Sequence, residues 1–128
     1  MPDPLASRDL TPPGELGTAL NRPRPGVAVL TVDGEVDTLT APPLEDAVGG
    51  MLSDPADTTL VVDLSGVTFL ASSGLAVLIR AAHRAGERGH RLRLVAGGRA
   101  VRRPLEVTGS DQLFDLFDSL SAALAATD

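Results

Sequence analysis

The 128-residue chain contains no cysteine, no tryptophan and no tyrosine. Without thiols, neither a disulfide framework nor a thiolate metal site is available. A chain of this length can bury a core without such staples, and the missing cysteines are compatible with a reducing compartment. Phe69, Phe114 and Phe117 are the only aromatic residues, so the core must be aliphatic, built on Leu, Val and Ala. Lysine is also absent, and every basic side chain but the two histidines is an arginine. No apolar run approaches the roughly 20 residues needed to span a bilayer, so membrane insertion is not expected. The start, Met1-Pro2-Asp3-Pro4-Leu5, lacks the basic and apolar stretches of a secretory signal. A cytoplasmic location is the expectation.

The net charge of −6 is unevenly spread. Residues 1–79 hold three arginines against eleven acids, residues 80–103 hold eight arginines against Glu87, and residues 104–128 hold five acids and no arginine. An acidic total without stacking aromatics disfavours direct nucleic-acid binding. The basic middle segment is explained by solvated helix and strand faces, or by a local anionic partner.

Periodicity divides the chain into alternating elements. Residues 1–14 carry Pro2, Pro4, Pro12 and Pro13 and predict a flexible tail, followed by one domain over residues 15–126. A short edge strand is expected over 15–20, then a turn over Asn21–Gly26, where prolines remove ladder donors. Val27–Val32 is a β-branched strand. A helix begins near Thr40, a candidate cap, with Pro42 and Pro43 in the first turn. Leu44, Ala47, Val48, Met51 and Leu52 mark its buried face, and Gly49-Gly50 is expected to weaken or shorten it. Thr59–Leu64 has the near-continuous apolar character of a central strand covered on both faces. After a loop, a helix runs from about Ser73 to Arg88, with Leu75, Leu78, Ile79 and Ala82 buried. Arg80, Arg84 and Arg88 share another face of it, at a spacing where like charges repel weakly, so a neighbouring acid or a partner should answer them. Arg91–Val95 alternates, predicting a strand with one wetter face. A third helix over 99–107 contains Pro104, which should kink it or delay its start. Leu113–Phe117 reads as a short strand, and Asp118 or Ser119 as the cap of a last helix with Leu120, Ala123 and Leu124 inward. The order β-β-α-β-α-β-α-β-α predicts an α/β domain with a mixed, mainly parallel sheet of four to five strands and about four helices.

Catalytic and cofactor signatures are missing. There is no phosphate-binding glycine loop of either common spacing, and Ala71-Ser72-Ser73-Gly74 is not a nucleophile elbow. His83 falls on a solvated helix side and His90 in a turn, so neither is placed as a base for Ser72. No cofactor is expected. Asp33, Glu35 and Asp37 alternate and would share one side of an extended segment, a weak pattern for a cation. The segment that stands out is Leu70-Ala71-Ser72-Ser73-Gly74-Leu75, which leaves a strand and enters a helix. A hydroxyl of Ser72 or Ser73 there would cap the helix, worth about 1 kcal/mol. The same geometry suits a phosphoserine, because a helix amino terminus offers free N–H groups and partial positive charge. Phosphate would add about −1.5 to −2 charges to the surface while the fold tolerates it.

These residues resemble a known family. Gly34-Glu35-Val36-Asp37 with Thr40-Ala41 is similar to the G-E-[LV]-D…T-A segment of STAS domains, and Asp63–Leu75 resembles that family's D-L-s-x-V-x-F-[ML]-D-S-S-G-L signature. Val101-Arg102-Arg103 and Leu105–Gly109 resemble its third-helix segment. The likeness runs in order over about residues 15–126, with helices packed largely on one side of the sheet, and points to the anti-sigma factor antagonist type. The resemblance implies a protein that is no enzyme. Its implied partners are an anti-sigma factor that is an ATP-dependent serine kinase, and a serine phosphatase that reverses it. It carries the phosphoacceptor onto Ser72, the acidic loop onto Asp37, and the partner surface onto Glu35, the span Asp37-Thr38-Leu39-Thr40, Ser72, Ser73 and Gly74, with Val77 and Arg80 on the following helix. Two positions depart from the family pattern: Ala71, where Asp usually precedes the serine pair, and Pro104, where an apolar helix former is usual. Ala71 motivates an alternative, an unphosphorylated interaction or scaffold domain in a stress-signalling complex or beside a transporter.

Overall fold

A computed structural model describes residues 15–126. The expected tail, residues 1–14, lies outside them. The elements run β1 (Leu16–Arg24), β2 (Val27–Val36), α1 (Ala41–Leu52), β3 (Thr59–Leu70), α2 (Ser72–Glu87), β4 (Leu92–Val95), α3 (Arg99–Thr108), a 3-10 turn (Ser110–Leu113), β5 (Asp115–Phe117) and α4 (Leu120–Ala125). The five strands form one sheet in the order β1-β2-β3-β4-β5. β1 pairs antiparallel to β2, and the other three pairings are parallel. This is the mixed, mainly parallel sheet that the alternation of elements predicts.

The sheet's main face is aliphatic. Leu30, Val32, Leu60, Val62, Leu92 and Leu94 meet Leu44, Val48 and Met51 of α1, Leu75 and Leu78 of α2, and Val101 and Leu105 of α3. α4 packs on the opposite face, where Ala123, Leu120 and Leu124 cover Val27, Val29, Val61 and Val95. Ser119 caps α4, its hydroxyl accepting from the Ala122 N–H at 3.1 Å.

Several expectations change. β1 continues through Pro23 to Arg24 instead of ending in a turn, with a register shift between Asn21 and Arg24. An edge strand with a bulge can house a proline, because no outer neighbour needs its missing N–H. α1 runs unbroken past Gly49 and Gly50 to Leu52, as packing of Val48, Met51 and Leu52 outweighs the glycines' propensity cost. α3 begins at Arg99 and spans Pro104 as one helix, its buried Val101 and Leu105 holding it to the core. β4 has no wet face: Arg93 is 5% exposed beneath α4. Its guanidinium donates to the carbonyls of Ala123 at 2.7 Å and Ala126 at 3.1 Å, and lies 6.0 Å from the Phe117 ring centroid. The last strand is shorter than expected, because Ser110–Leu113 forms a 3-10 turn first.

The largest revision concerns β3, which extends twelve residues to Leu70 where a loop was expected after Leu64. β4 pairs only with Leu60–Asp63. Beyond Asp63 the strand keeps β2 alone as neighbour, with register shifts between Thr31 and Asp33 and between Gly34 and Glu35. Extra β3 residues at those shifts bend the pair. The β2–β3 ribbon therefore projects past β4 and β5, accompanied by β1 as far as Gly34, and carries the candidate site at its end.

Candidate functional site

The ribbon ends with Val36 opposite Leu70 and Glu35 opposite Phe69. The Ala71 N–H donates to the Val36 carbonyl at 2.8 Å, which ties the start of α2 to the end of β2. Both chain crossings, the loop into α1 and the step into α2, thus lie side by side at the carboxyl ends of parallel strands.

Ala71 is the extended residue before α2, and no side chain caps this helix. The capping role expected of Ser72 or Ser73 is absent because both already have helical positions, first and second in α2. Ser72 is exposed. The Ser73 hydroxyl oxygen is buried and has no hydrogen-bond partner. Gly74 is buried against the ribbon: a β-carbon there would sit 2.1 Å from Val36 Cγ1 and 3.0 Å from Leu70 Cδ1. Only glycine lets α2 start this close to β2.

The neighbouring loop is rigidly tied. Asp37 Oδ1 accepts from the N–H groups of Leu39 at 2.9 Å and Thr40 at 3.1 Å. The Thr40 hydroxyl accepts from the Asp37 N–H and donates to the Glu35 carbonyl, both at 2.8 Å. Thr40 thus knits the loop together and does not cap α1 with its side chain.

The expected partner surface is only partly on the outside. Glu35, Thr38, Ser72 and Arg80 are exposed, and Asp37 and Ser73 are half-buried. Thr40, Gly74 and Val77 are buried and support the surface from beneath. Arg80 is engaged by Glu45 of α1 at 2.6 Å. That hydrogen bond, reinforced by the arginine's charge, holds the Glu45 carboxyl below its ordinary range and raises the Arg80 guanidinium. Arg88, from the same helix stripe, donates to the carbonyls of Leu52, Asp54 and Asp57. Acid and carbonyls of the chain itself therefore answer two of the three arginines.

Two large apolar residues at this end are exposed; the resemblance reaches Leu39 only as part of the span Asp37–Thr40, and sequence reasoning missed Phe69. Leu39 is 76% and Phe69 51% exposed. Phe69 was legible as the one aromatic flanking the serine segment, but it falls in the stretch expected to be a loop, where sequence does not show what a side chain packs on.

Among the described residues, no three His, Cys, Asp or Glu side chains converge as metal ligands, Asp33, Glu35 and Asp37 included. A hollow of about 430 Å³ lies at the opposite end of the sheet, beside Thr59, His90, Arg91 and Phe117. The site is a surface, with a hydroxyl at a helix start, an acidic loop and two apolar side chains.

A five-stranded mixed sheet whose serine pair opens the helix after a projecting central strand defines the STAS class. The family model described as "Mlab, STAS domain" matches residues 21–118, and the chain belongs to this family. It is 43% identical over 99 residues to the anti-sigma-F factor antagonist RsfB of Mycobacterium tuberculosis, covering 77% of this chain and 80% of the relative. It is 31% identical over 100 residues to the anti-sigma-F factor antagonist RsfA of the same organism, covering 77% and 78%. Among solved structures it is similar to an anti-sigma factor antagonist from Mycobacterium paratuberculosis, with 40% identity, a TM-score of 0.81, and coverage of 90% of this chain and 96% of that one. Among the described residues, no helix is long and apolar enough to cross a membrane.

Proposed function

We propose that this chain is an anti-sigma factor antagonist that acts in the cytoplasm and is switched at Ser72. Unphosphorylated, it binds an anti-sigma serine kinase of the anti-sigma-F kind through the Ser72 end and so frees a sigma factor. The kinase then transfers the γ-phosphoryl of ATP to Ser72: the Ser72 Oγ–phosphorus bond forms, the bond to the ADP oxygen breaks, and a kinase base takes the hydroxyl proton. A phosphatase restores the serine.

The observation that carries this reading is the placement of Ser72. It is exposed in the first turn of a sixteen-residue helix whose amino terminus no side chain caps. Phosphate there meets free N–H groups and the favourable end of the helix dipole, so the fold accepts it. A partner fitted to a neutral hydroxyl meets a bulky dianion instead. The relatives' names support the antagonist role, and nothing about the site asks for catalysis by this chain.

The test uses the purified Mycobacterium tuberculosis anti-sigma-F factor with ATP and mass spectrometry. One added phosphate is expected, absent in Ser72→Ala. Phosphate unchanged on Ser72→Ala would sink the assignment. A second reading, a constitutive scaffold, draws on Ala71, which stands where the family usually has Asp. It predicts partner binding indifferent to Ser72→Glu in a pull-down, whereas the switch predicts its loss.

A further inference from the structure

We propose that Leu39 and Phe69 are the apolar anchors of the partner surface, and that the partner presents an apolar pocket ringed by arginine or lysine. This inference rests on the kinase-binding reading and names the chemistry of its interface. Most large apolar side chains of the described residues are buried, and Leu39 and Phe69 are among the few exceptions. Both sit at the Ser72 end: Phe69 three residues before Ser72 and opposite Glu35, Leu39 three residues after Val36, whose carbonyl holds Ala71.

The exposure of Leu39 is built in. Its own N–H and that of Thr40 are fixed by Asp37 Oδ1, and the Thr40 hydroxyl closes the loop onto Glu35. A pre-ordered loop loses little freedom on binding, so an apolar side chain held out on it contributes more of its burial to affinity. Phe69 is likewise held in the β2–β3 ladder. Energetically dominant interface residues are typically large side chains seated in desolvated pockets, with aromatics enriched.

The rim selects the occupant. Glu35 lies opposite Phe69 and Asp37 holds the Leu39 N–H, and neither acid forms an ion pair within the described residues, unlike Glu45, Asp57, Asp115 and Asp118. A second copy offering the same end would bring acid against acid, and an anionic bilayer would be repelled. A protein surface with basic residues around an apolar pocket satisfies both parts, with the charges speeding encounter and the anchors slowing release.

The experiment measures binding of the unphosphorylated full chain to the purified Mycobacterium tuberculosis anti-sigma-F factor by biolayer interferometry. Leu39→Ser and Phe69→Ser are each expected to weaken Kd by at least about tenfold, chiefly through faster dissociation. Val107→Ser, altering a residue 71% exposed near the far end of α3, is expected to bind as the native chain does. Raising salt from about 50 to about 500 mM should slow association for all four proteins. Circular dichroism checks that each variant is folded, which surface substitutions should not disturb. Native-like binding by both anchor variants would overturn this inference and leave kinase binding standing. No binding by the native chain would remove the kinase reading and this one with it. A dimer of the free chain that either substitution dissolves would assign the patch to a second copy and also overturn it.

Discussion

At the scale of single residues, the site depends on one missing methyl group. Gly74 faces Val36 so closely that alanine would overlap its Cγ1. Gly74→Ala should therefore cost about 1–3 kcal/mol, the usual penalty for overpacking. Trimming the obstacle should recover part of it: Gly74→Ala with Val36→Ala is expected to cost less than the sum of the two single changes. Urea denaturation of the four proteins of this cycle measures the coupling. A second residue-scale expectation concerns pH. Glu45 titrates below its ordinary range because Arg80 hydrogen-bonds its charged form. A lowered carboxyl pKa adds stability above the unfolded value and loses it as pH falls through the folded value. Both side chains are substantially exposed, so the effect is small, well under about 1 kcal/mol. Stability compared between Glu45→Gln and the native chain should differ at neutral pH and converge in acid. A gap that persists below the carboxylate range would contradict the pairing.

At the scale of elements, α2 starts without a side-chain cap, as α1 and α3 do. Ala71 holds the capping position with extended backbone and no polar side chain. Ala71→Asp supplies an acceptor for the orphan N–H groups and should stabilise the fold by about 1 kcal/mol. Thermal unfolding checks this, and a lower midpoint would show that Asp cannot turn toward the helix. The same change places a carboxylate beside Ser72, so it should also compete with a phosphate for those groups. The serine segment and the strand–helix alternation were legible because each uses local signals, residue type at a helix start and the spacing of apolar residues. The second half of β3 was hidden because Ser65-Gly66 and the bulges break the two-residue alternation that marks a strand. Arg93 misled for a related reason: its alternation suggested a wet face, while the helix that covers it lies some thirty residues later. The exposure of Leu39 and Phe69 escaped because sequence shows that a residue is apolar, not whether anything covers it.

At the scale of the whole molecule, stability and recognition are carried by different parts. The three helices over the main face and α4 on the other bury the sheet where β4 and β5 complete it. The site at the ribbon's end stands on Val36, Leu70 and Leu75 of that same core, while Ser72 itself is exposed. A charge change there should therefore leave the fold nearly untouched. Ser72→Glu places a carboxylate on an exposed position in the first turn of α2, where the helix dipole favours it by about 0.3–1 kcal/mol. The expected result is an unchanged or slightly raised unfolding free energy together with loss of partner binding. Phe114→Ala is the contrasting case: Phe114 is buried in the main core, and truncation should cost about 3–5 kcal/mol. Unfolding curves and binding measured on both variants separate the two roles. If Ser72→Glu destabilised the chain as Phe114→Ala does, its effect on binding would follow from unfolding, and the serine would not work as a surface switch. The position of Ser72, exposed at the end of a helix that welcomes negative charge, leads to the opposite expectation.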